Sequence, residues 1–238
     1  EDEIDARYVS PLVARSPHAV LFRNVRGYRY PLVSGLLSDR RRLALCLGME
    51  GAQTVNRLRQ AIDRPIPPVV VPTGPVKEVV LRGDEVDLAA LPIPVMADLD
   101  GGPFIASAVT IASHPDLGRN AGIYRMMYRN RNTLGIDIVT PNNLRAMYED
   151  TSARGESLPV SIAVGAAPIE MLAATFKAPM EVDELGVAGG LREEAVELVP
   201  GETIPVDGLA NAEMILEGEL LPGGHVHPEG QYGEFSRL

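Results

Sequence analysis

The segment Pro65-Ile66-Pro67-Pro68-Val69-Val70-Val71-Pro72 divides the chain into two stretches of different character. Its prolines lack backbone donors and fix φ, so it cannot be a helix interior or a central strand, and it predicts an extended connector across a surface. Before it, residues 1 to about 64 combine a helical-looking start, an apolar stretch through Leu21-Phe22, and a run in which Ser38-Asp39 precedes an apolar pattern of helical spacing. That half reads as mixed α/β. From Val76 onward the pattern becomes short β-type runs bounded by turn residues: Val79 to Leu81, Phe104 to Ile111, Ile123 to Met127, Gly135 to Val139, Val160 to Val164 and Ala195 to Leu198. Leu144 to Ala153 and Ile169 to Phe176 look helical instead, the second with Pro168 suited to a first turn. Short strands with few helices predict a barrel or sandwich rather than a doubly wound sheet. The expected organisation is α+β, with an N-terminal α/β domain and its proline-rich linker over 1–100 and a β-rich domain over 101–238.

Composition narrows the function. A net charge of −10 repels phosphate backbones and anionic lipid surfaces, and 5% aromatic residues without tryptophan offer no stacking platform, so nucleic acid is not an expected partner. No stretch reaches the roughly 18 apolar residues of a membrane helix, and the acidic start Glu1-Asp2-Glu3 is unlike a signal peptide, which points to the cytoplasm. Cys46 has no second cysteine to pair with and sits in an apolar run, where it reads as a small hydrophobe. No dinucleotide or P-loop glycine pattern occurs. The chain also stops directly after its most charged, glycine-rich motif, which suggests that a further element follows.

Three strings could carry chemistry. Glu229-Gly230-Gln231-Tyr232-Gly233-Glu234 sets two carboxylates five residues apart in a glycine loop that could aim both at one point. Like charges so placed raise one carboxyl's pKa, giving a proton donor beside an ionised partner; a solvated acidic turn is the alternative. Asn120-Ala121-Gly122-Ile123-Tyr124-Arg125 ends a strand-like alternation in an arginine, a planar fork for a carboxylate that needs a counter-ion if buried. A surface arginine among Arg119, Arg129 and Arg131 is the other reading. Asp183-Glu184, with an amide such as Asn120, could hold a hard divalent ion or could simply be a turn. His225 and His227 lack the context of a zinc site, and Asp98 and Asp100 read as an Asx-type turn.

In this order the strings resemble the UbiD family of reversible decarboxylases. "DLDGGPFIASAVTIASHPDLGRNAGIYRM" is similar to that family's strand-turn-strand leading into N-x-G-x-Y-R, and "AEMILEGELLPGG" with "EGQYGEF" is similar to its A-E-x-x-L-E-G and E-G-x-x-G-E-F motifs. The likeness begins near Leu91 and runs to the last residue. It implies an N-terminal α/β domain, a split β-barrel of the flavin-reductase type and a C-terminal α/β domain, of which the first two are present. It also implies prenylated FMN, bound with Mn2+ or Mg2+ and with K+ as a further cation, and a flavin prenyltransferase as its supplier. A homodimer or higher homo-oligomer is the expected assembly.

Carried over by position, the family's catalytic arginine and two glutamates fall on Arg125, Glu229 and Glu234, and its metal ligands on Asn120 and Glu184. Asn143 stands where the family's third ligand, a histidine, is expected. Ile123, Tyr124, Arg125, Asn142 and Thr175 are the further expected cofactor contacts, with Val139 near them. The implied reaction is non-oxidative decarboxylation of an α,β-unsaturated or aromatic carboxylic acid through a covalent adduct with the cofactor, Glu234 donating the proton, Arg125 orienting the substrate carboxylate and Glu229 setting the charge and position of Arg125. A flavin-binding scaffold without catalysis, or an FMN-dependent reductase, are the alternatives.

Overall fold

The computed structural model describes residues 3–48, 53–223 and 230–232. The N-terminal part begins with α1 (Val9–Arg15), which packs on an antiparallel hairpin of β1 (Val20–Phe22) and β2 (Leu32–Ser34). Val9, Phe22 and Val25 form its small core. α2 (Arg40–Cys46) starts at Asp39, whose carboxylate accepts the N–H of Arg41 at 2.7 Å, an N-cap that the Ser-Asp signal foretold. α3 (Thr54–Asp63) leads into the proline-rich segment, where Val69–Val70 form β3.

Two antiparallel sheets dominate the rest. β4 (Phe104–Ile105), β5 (Ala108–His114), β6 (Gly118–Ile123), β7 (Met126–Asn130) and β8 (Thr133–Ile136) follow in sequence, then α4 (Asn143–Ala153) and β9 (Leu158–Val164). α5 (Pro168–Ala174), α6 (Glu184–Arg192), β10 (Glu197–Val199), β11 (Gly208–Leu209) and β12 (Met214–Leu220) complete the described elements. The larger sheet has the order β12-β9-β5-β6 and the smaller β4-β7-β8, while β3 is an edge strand parallel to β10 in a third, β11-β10-β3. An edge is where a proline-flanked strand can be tolerated.

The larger sheet separates two cores, as the two-residue period of strands requires. Val109, Ile111 and Ala163 point to one side and pack with Leu185, Val187, Ala188 and Leu191 of α6. Ala108, Ala112, Val160 and Ile162 point to the other and pack with Leu144 and Met147 of α4 and with Ile105 and Met126 of the smaller sheet. Among the described residues no helix is long and apolar enough to cross a membrane.

Three differences from the sequence expectations have structural reasons. Phe104 to Ile111 is two strands, and Ile123 to Met127 straddles another break, because at residues 106–107 and 124–125 the chain crosses between the two sheets. Val79 to Leu81 is exposed between two single turns of 3-10 helix and, among the described residues, has no strand beside it to pair with. Asp183-Glu184, for which a simple turn was one reading, instead cap and open a helix, α6. The described ladders make a mixed α/β architecture of open sheets and show no closed barrel.

Candidate active site

β6 is an outer strand of the larger sheet, so the N–H of Ala121, facing away from β5, is not used by that ladder. Glu184 takes it: Oε2 accepts this N–H at 2.9 Å. α6 is held there by two contacts of Asp183, whose carboxylate caps the N–H of Leu185 at 2.9 Å and pairs with Arg119 at 2.8 Å. The result sets a buried carboxylate on the N–H of Ala121, and Asn120, next along β6, is buried as well. Burial raises the Glu184 carboxyl from its ordinary 4.5 to about 7; the N–H of Ala121 opposes that rise and the Asp183 charge adds to it.

Asn120 donates from Nδ2 to the Tyr124 hydroxyl at 3.2 Å, and the Tyr124 ring lies against Gly122. Burial pushes the Tyr124 hydroxyl above its ordinary value. Asn143 opens α4 and donates from Nδ2 to the carbonyl of Ala178 at 3.2 Å. Asn142 is the cap of the same helix, its Oδ1 accepting from the N–H of Arg145 at 2.9 Å. Thr175 ends α5, exposed, with its hydroxyl donating to Leu172 at 2.7 Å. Ile123 packs with the α5 and α6 side of the sheet, on the face opposite Asn120.

Arg125 lies past the end of β6, where the pleat is interrupted, one residue before β7. Met126 pairs with Ile136 across β7 and β8, which makes Arg125 and Asp137 the next rung. The rung closes twice: the N–H of Asp137 donates to the carbonyl of Arg125 at 3.1 Å, and Nη2 of Arg125 meets Oδ2 of Asp137 at 3.0 Å. The guanidinium carbon also sits 5.8 Å from the centre of the Tyr232 ring, within cation–π range. Tyr232 in turn tilts against Phe104, with ring centres 4.8 Å apart.

Tyr232 is set there by its own loop. The N–H of Gly101 donates to the carbonyl of Gln231 at 2.8 Å, and a Cβ on either Gly101 or Gly230 would fall 2.3 Å from the other's Cα. Only two glycines allow backbones so close. Gly230, Gln231 and Tyr232 are thus seated beside Arg125. Glu229 and Glu234, which flank them in sequence, lie outside the described residues, as do His225 and His227.

The structure gathers Asn120, Tyr124 and Glu184 in one place, and Arg125 with the 230–232 segment in another. Sequence reasoning did not single out Asp137 or Tyr232. The tyrosine stood inside a motif without a role, and the aspartate closes a β-type run that gives no hint of its partner. Asp100 departs from the expected Asx-type turn, in which a later N–H is bound: its Oδ2 accepts from the preceding N–H groups of Met96 and Ala97.

Residues 69–238 match the family described as the 3-octaprenyl-4-hydroxybenzoate carboxy-lyase Rift-related domain, and residues 3–62 match its N-terminal domain. The chain belongs to the UbiD family. It is 38% identical to an uncharacterised protein of the cooM 5′ region of Rhodospirillum rubrum, over 98% of this chain and 52% of that protein. It is 34% identical to the anhydromevalonate phosphate decarboxylase of Methanothermobacter thermautotrophicus, over 94% of this chain and 52% of the other. Among solved structures, the UbiD-class enzyme HmfF from Pelotomaculum thermopropionicum in complex with FMN superposes with a TM-score of 0.92 at 34% identity, covering 100% of this chain and 54% of HmfF. An evolved dimeric form of HmfF in complex with prFMN gives 0.89 at 33%, covering 94% of this chain and 53% of that one. The chain spans about half the length of the curated UbiD-family relatives it matches.

Proposed function

We propose that this chain is part of a carboxy-lyase that decarboxylates an α,β-unsaturated or aromatic carboxylic acid reversibly and without net oxidation, using prenylated FMN. The observation that carries the reading is the seating of Gly230 to Tyr232 against Arg125, which puts the sequence between Glu229 and Glu234 beside a guanidinium. HmfF, solved with prFMN and with FMN, supports the cofactor. The crossings of the chain between sheets at 106–107 and 124–125 support a split barrel whose corners lie there, within a domain running from about residue 101.

The donor set of the first cluster fits a hard cation. The buried Glu184 carboxylate sits on the N–H of Ala121, one residue along β6 from the buried Asn120, and oxygen donors of this kind suit Mg2+ or Mn2+. Asn120, Glu184 and Asn143 would hold this ion, which would anchor the phosphate of the flavin, with K+ as a further cation. When bound, the prenylated flavin supplies a ring system that takes up the electron pair released as CO2 departs. Arg125 orients the substrate carboxylate as a planar fork, and Glu229 sets the charge and position of that fork. Glu234 gives its proton to the carbon that has lost CO2. The substrate's chemistry, a supplying flavin prenyltransferase and a homo-oligomeric assembly are parts of the same proposal.

The test is Glu234→Gln in the full-length protein, co-produced with a flavin prenyltransferase and offered anhydromevalonate phosphate, 4-hydroxybenzoate and cinnamate. The amide keeps shape without the proton, so flavin absorbance is expected to stay at the parent level while CO2 release drops by about a hundredfold or more. Unimpaired turnover would remove Glu234 from the role, and no CO2 from any acid with flavin bound would count against the decarboxylase reading.

A further inference from the structure

We propose that Asp137 is a positioning residue of Arg125 beside Glu229, a second carboxylate that fixes the guanidinium in the plane from which it receives substrate; this rests on the reading of Arg125 as the substrate clamp. Three observations support it. Asp137 stands on the rung directly opposite Arg125, and the backbone bond from its N–H to the Arg125 carbonyl, 3.1 Å, locks that register. Its carboxylate is itself fixed, Oδ1 accepting the N–H of Val139 at 3.1 Å while Oδ2 meets Nη2 of Arg125 at 3.0 Å. The Tyr232 ring, 5.8 Å from the guanidinium carbon, limits a further direction in which the side chain could swing.

A long, flexible arginine held at one nitrogen by a fixed carboxylate and covered on one side by a ring loses most of its rotamer freedom before substrate arrives. The cost of ordering it is then met in folding instead of in catalysis. The same carboxylate adds negative charge beside the place where an anionic substrate binds, so it opposes ground-state affinity while it enforces geometry. Those two effects have opposite signatures. Removing the charge should tighten binding and slow turnover, a combination that a merely structural role does not produce.

The experiment compares Asp137→Asn and Asp137→Glu with the parent as full-length, flavin-loaded protein, with rates normalised to bound flavin. With whichever of anhydromevalonate phosphate, 4-hydroxybenzoate and cinnamate the parent decarboxylates, Asp137→Asn is expected to lower kcat about tenfold and to lower KM about two- to threefold. Asp137→Glu, which keeps the charge on a longer arm, should recover much of kcat. Unchanged kcat in Asp137→Asn, or a raised KM, would overturn the proposal. A readout independent of turnover is the Nε–Hε NMR signal of Arg125, identified as the one lost in Arg125→Lys. Its solvent exchange should be at least about tenfold faster in Asp137→Asn than in the parent; equal protection would overturn the positioning role even if every acid is consumed. A parent that releases no CO2 yet shows that exchange difference would sink the decarboxylase reading and uphold the ion pair.

Discussion

Glu170 on α5 and Glu184 on α6 are both buried carboxylates, and they are partnered in different ways. Glu170 has a cation: Nη1 of Arg192, at the last residue of α6, lies 2.9 Å from its Oε1. Glu184, at the first residue of α6, has the N–H of Ala121 and, among the described residues, no basic side chain paired with it. Burial raises the carboxyl of each above its ordinary value. The first arrangement is complete in charge and ties α5 to α6. The second has no charge partner among the described residues, so the acid is stable there with a proton or, on the function proposed above, with an added cation.

The sharpest way to break the comparison is to remove the cation from the complete pair. Arg192→Met leaves Glu170 enclosed without its partner, and a loss of about 3 to 4 kcal/mol in urea unfolding is expected, toward the lower end because the arginine is partly exposed. Adding Glu170→Leu should restore most of it. A loss below about 1 kcal/mol would show that Glu170 is satisfied by other means, and the contrast with Glu184 would then fail.

Glu184 should show the opposite sensitivity, to pH. Its folded carboxyl titrates at about 7 against an ordinary 4.5, so between these values the folded state keeps a proton that the unfolded state has lost. Stability therefore falls as pH rises through this window, by up to about 3 kcal/mol, and is at its full value below pH 4.5. The measurement is unfolding of EDTA-treated protein from pH 4.5 to 8, against Glu184→Gln, in which this component of the slope should vanish. Identical slopes would mean that Glu184 is ionised at no cost. Saturating Mg2+ or Mn2+ should return the lost stability to the parent above pH 7 and not to the variant.

The parts of this arrangement that the sequence revealed are those with local signals. Pro168 at the first turn of α5, Asp39 as a cap and the apolar spacing of α4 act within a few residues. α6 was hidden because Gly189 and Gly190 lower helix propensity. Their reason is tertiary: a Cβ on Gly189 would lie 2.3 Å from the Ile66 carbonyl, and one on Gly190 3.0 Å from Ala61, so only glycines let α6 approach the end of α3 and the segment after it. Val79 to Leu81 failed for the converse reason, having strand-forming residues and, among the described residues, no strand to pair with. At the proposed site, Asn120, Arg125 and Glu184 were singled out from strings of the sequence and the family resemblance, whereas Asp137 becomes visible only when the register of β7 and β8 sets it opposite Arg125.

The smallest expected effect concerns Asn143, the residue proposed to complete the cation site. Its Nδ2 is engaged by the Ala178 carbonyl at 3.2 Å, which leaves Oδ1 as the atom suited to a metal. An amide oxygen is a harder, weaker donor than an imidazole nitrogen, so this site should discriminate little between Mg2+ and Mn2+. Asn143→His offers nitrogen in its place. Calorimetric titration of metal-free protein in the presence of FMN should show Mn2+ binding about tenfold tighter than in the parent and Mg2+ binding unchanged or weaker. Loss of the bond to Ala178 costs about 1 kcal/mol of stability, which unfolding would register separately. Tighter Mn2+ binding in Asn143→His, abolished by adding Glu184→Gln, would put both ends of the ligand set on one ion. If the histidine leaves Mn2+ affinity unchanged while Glu184→Gln still weakens it, the ion is held from β6 and α6 alone, and Asn143 serves only to anchor the start of α4 to the loop before α6.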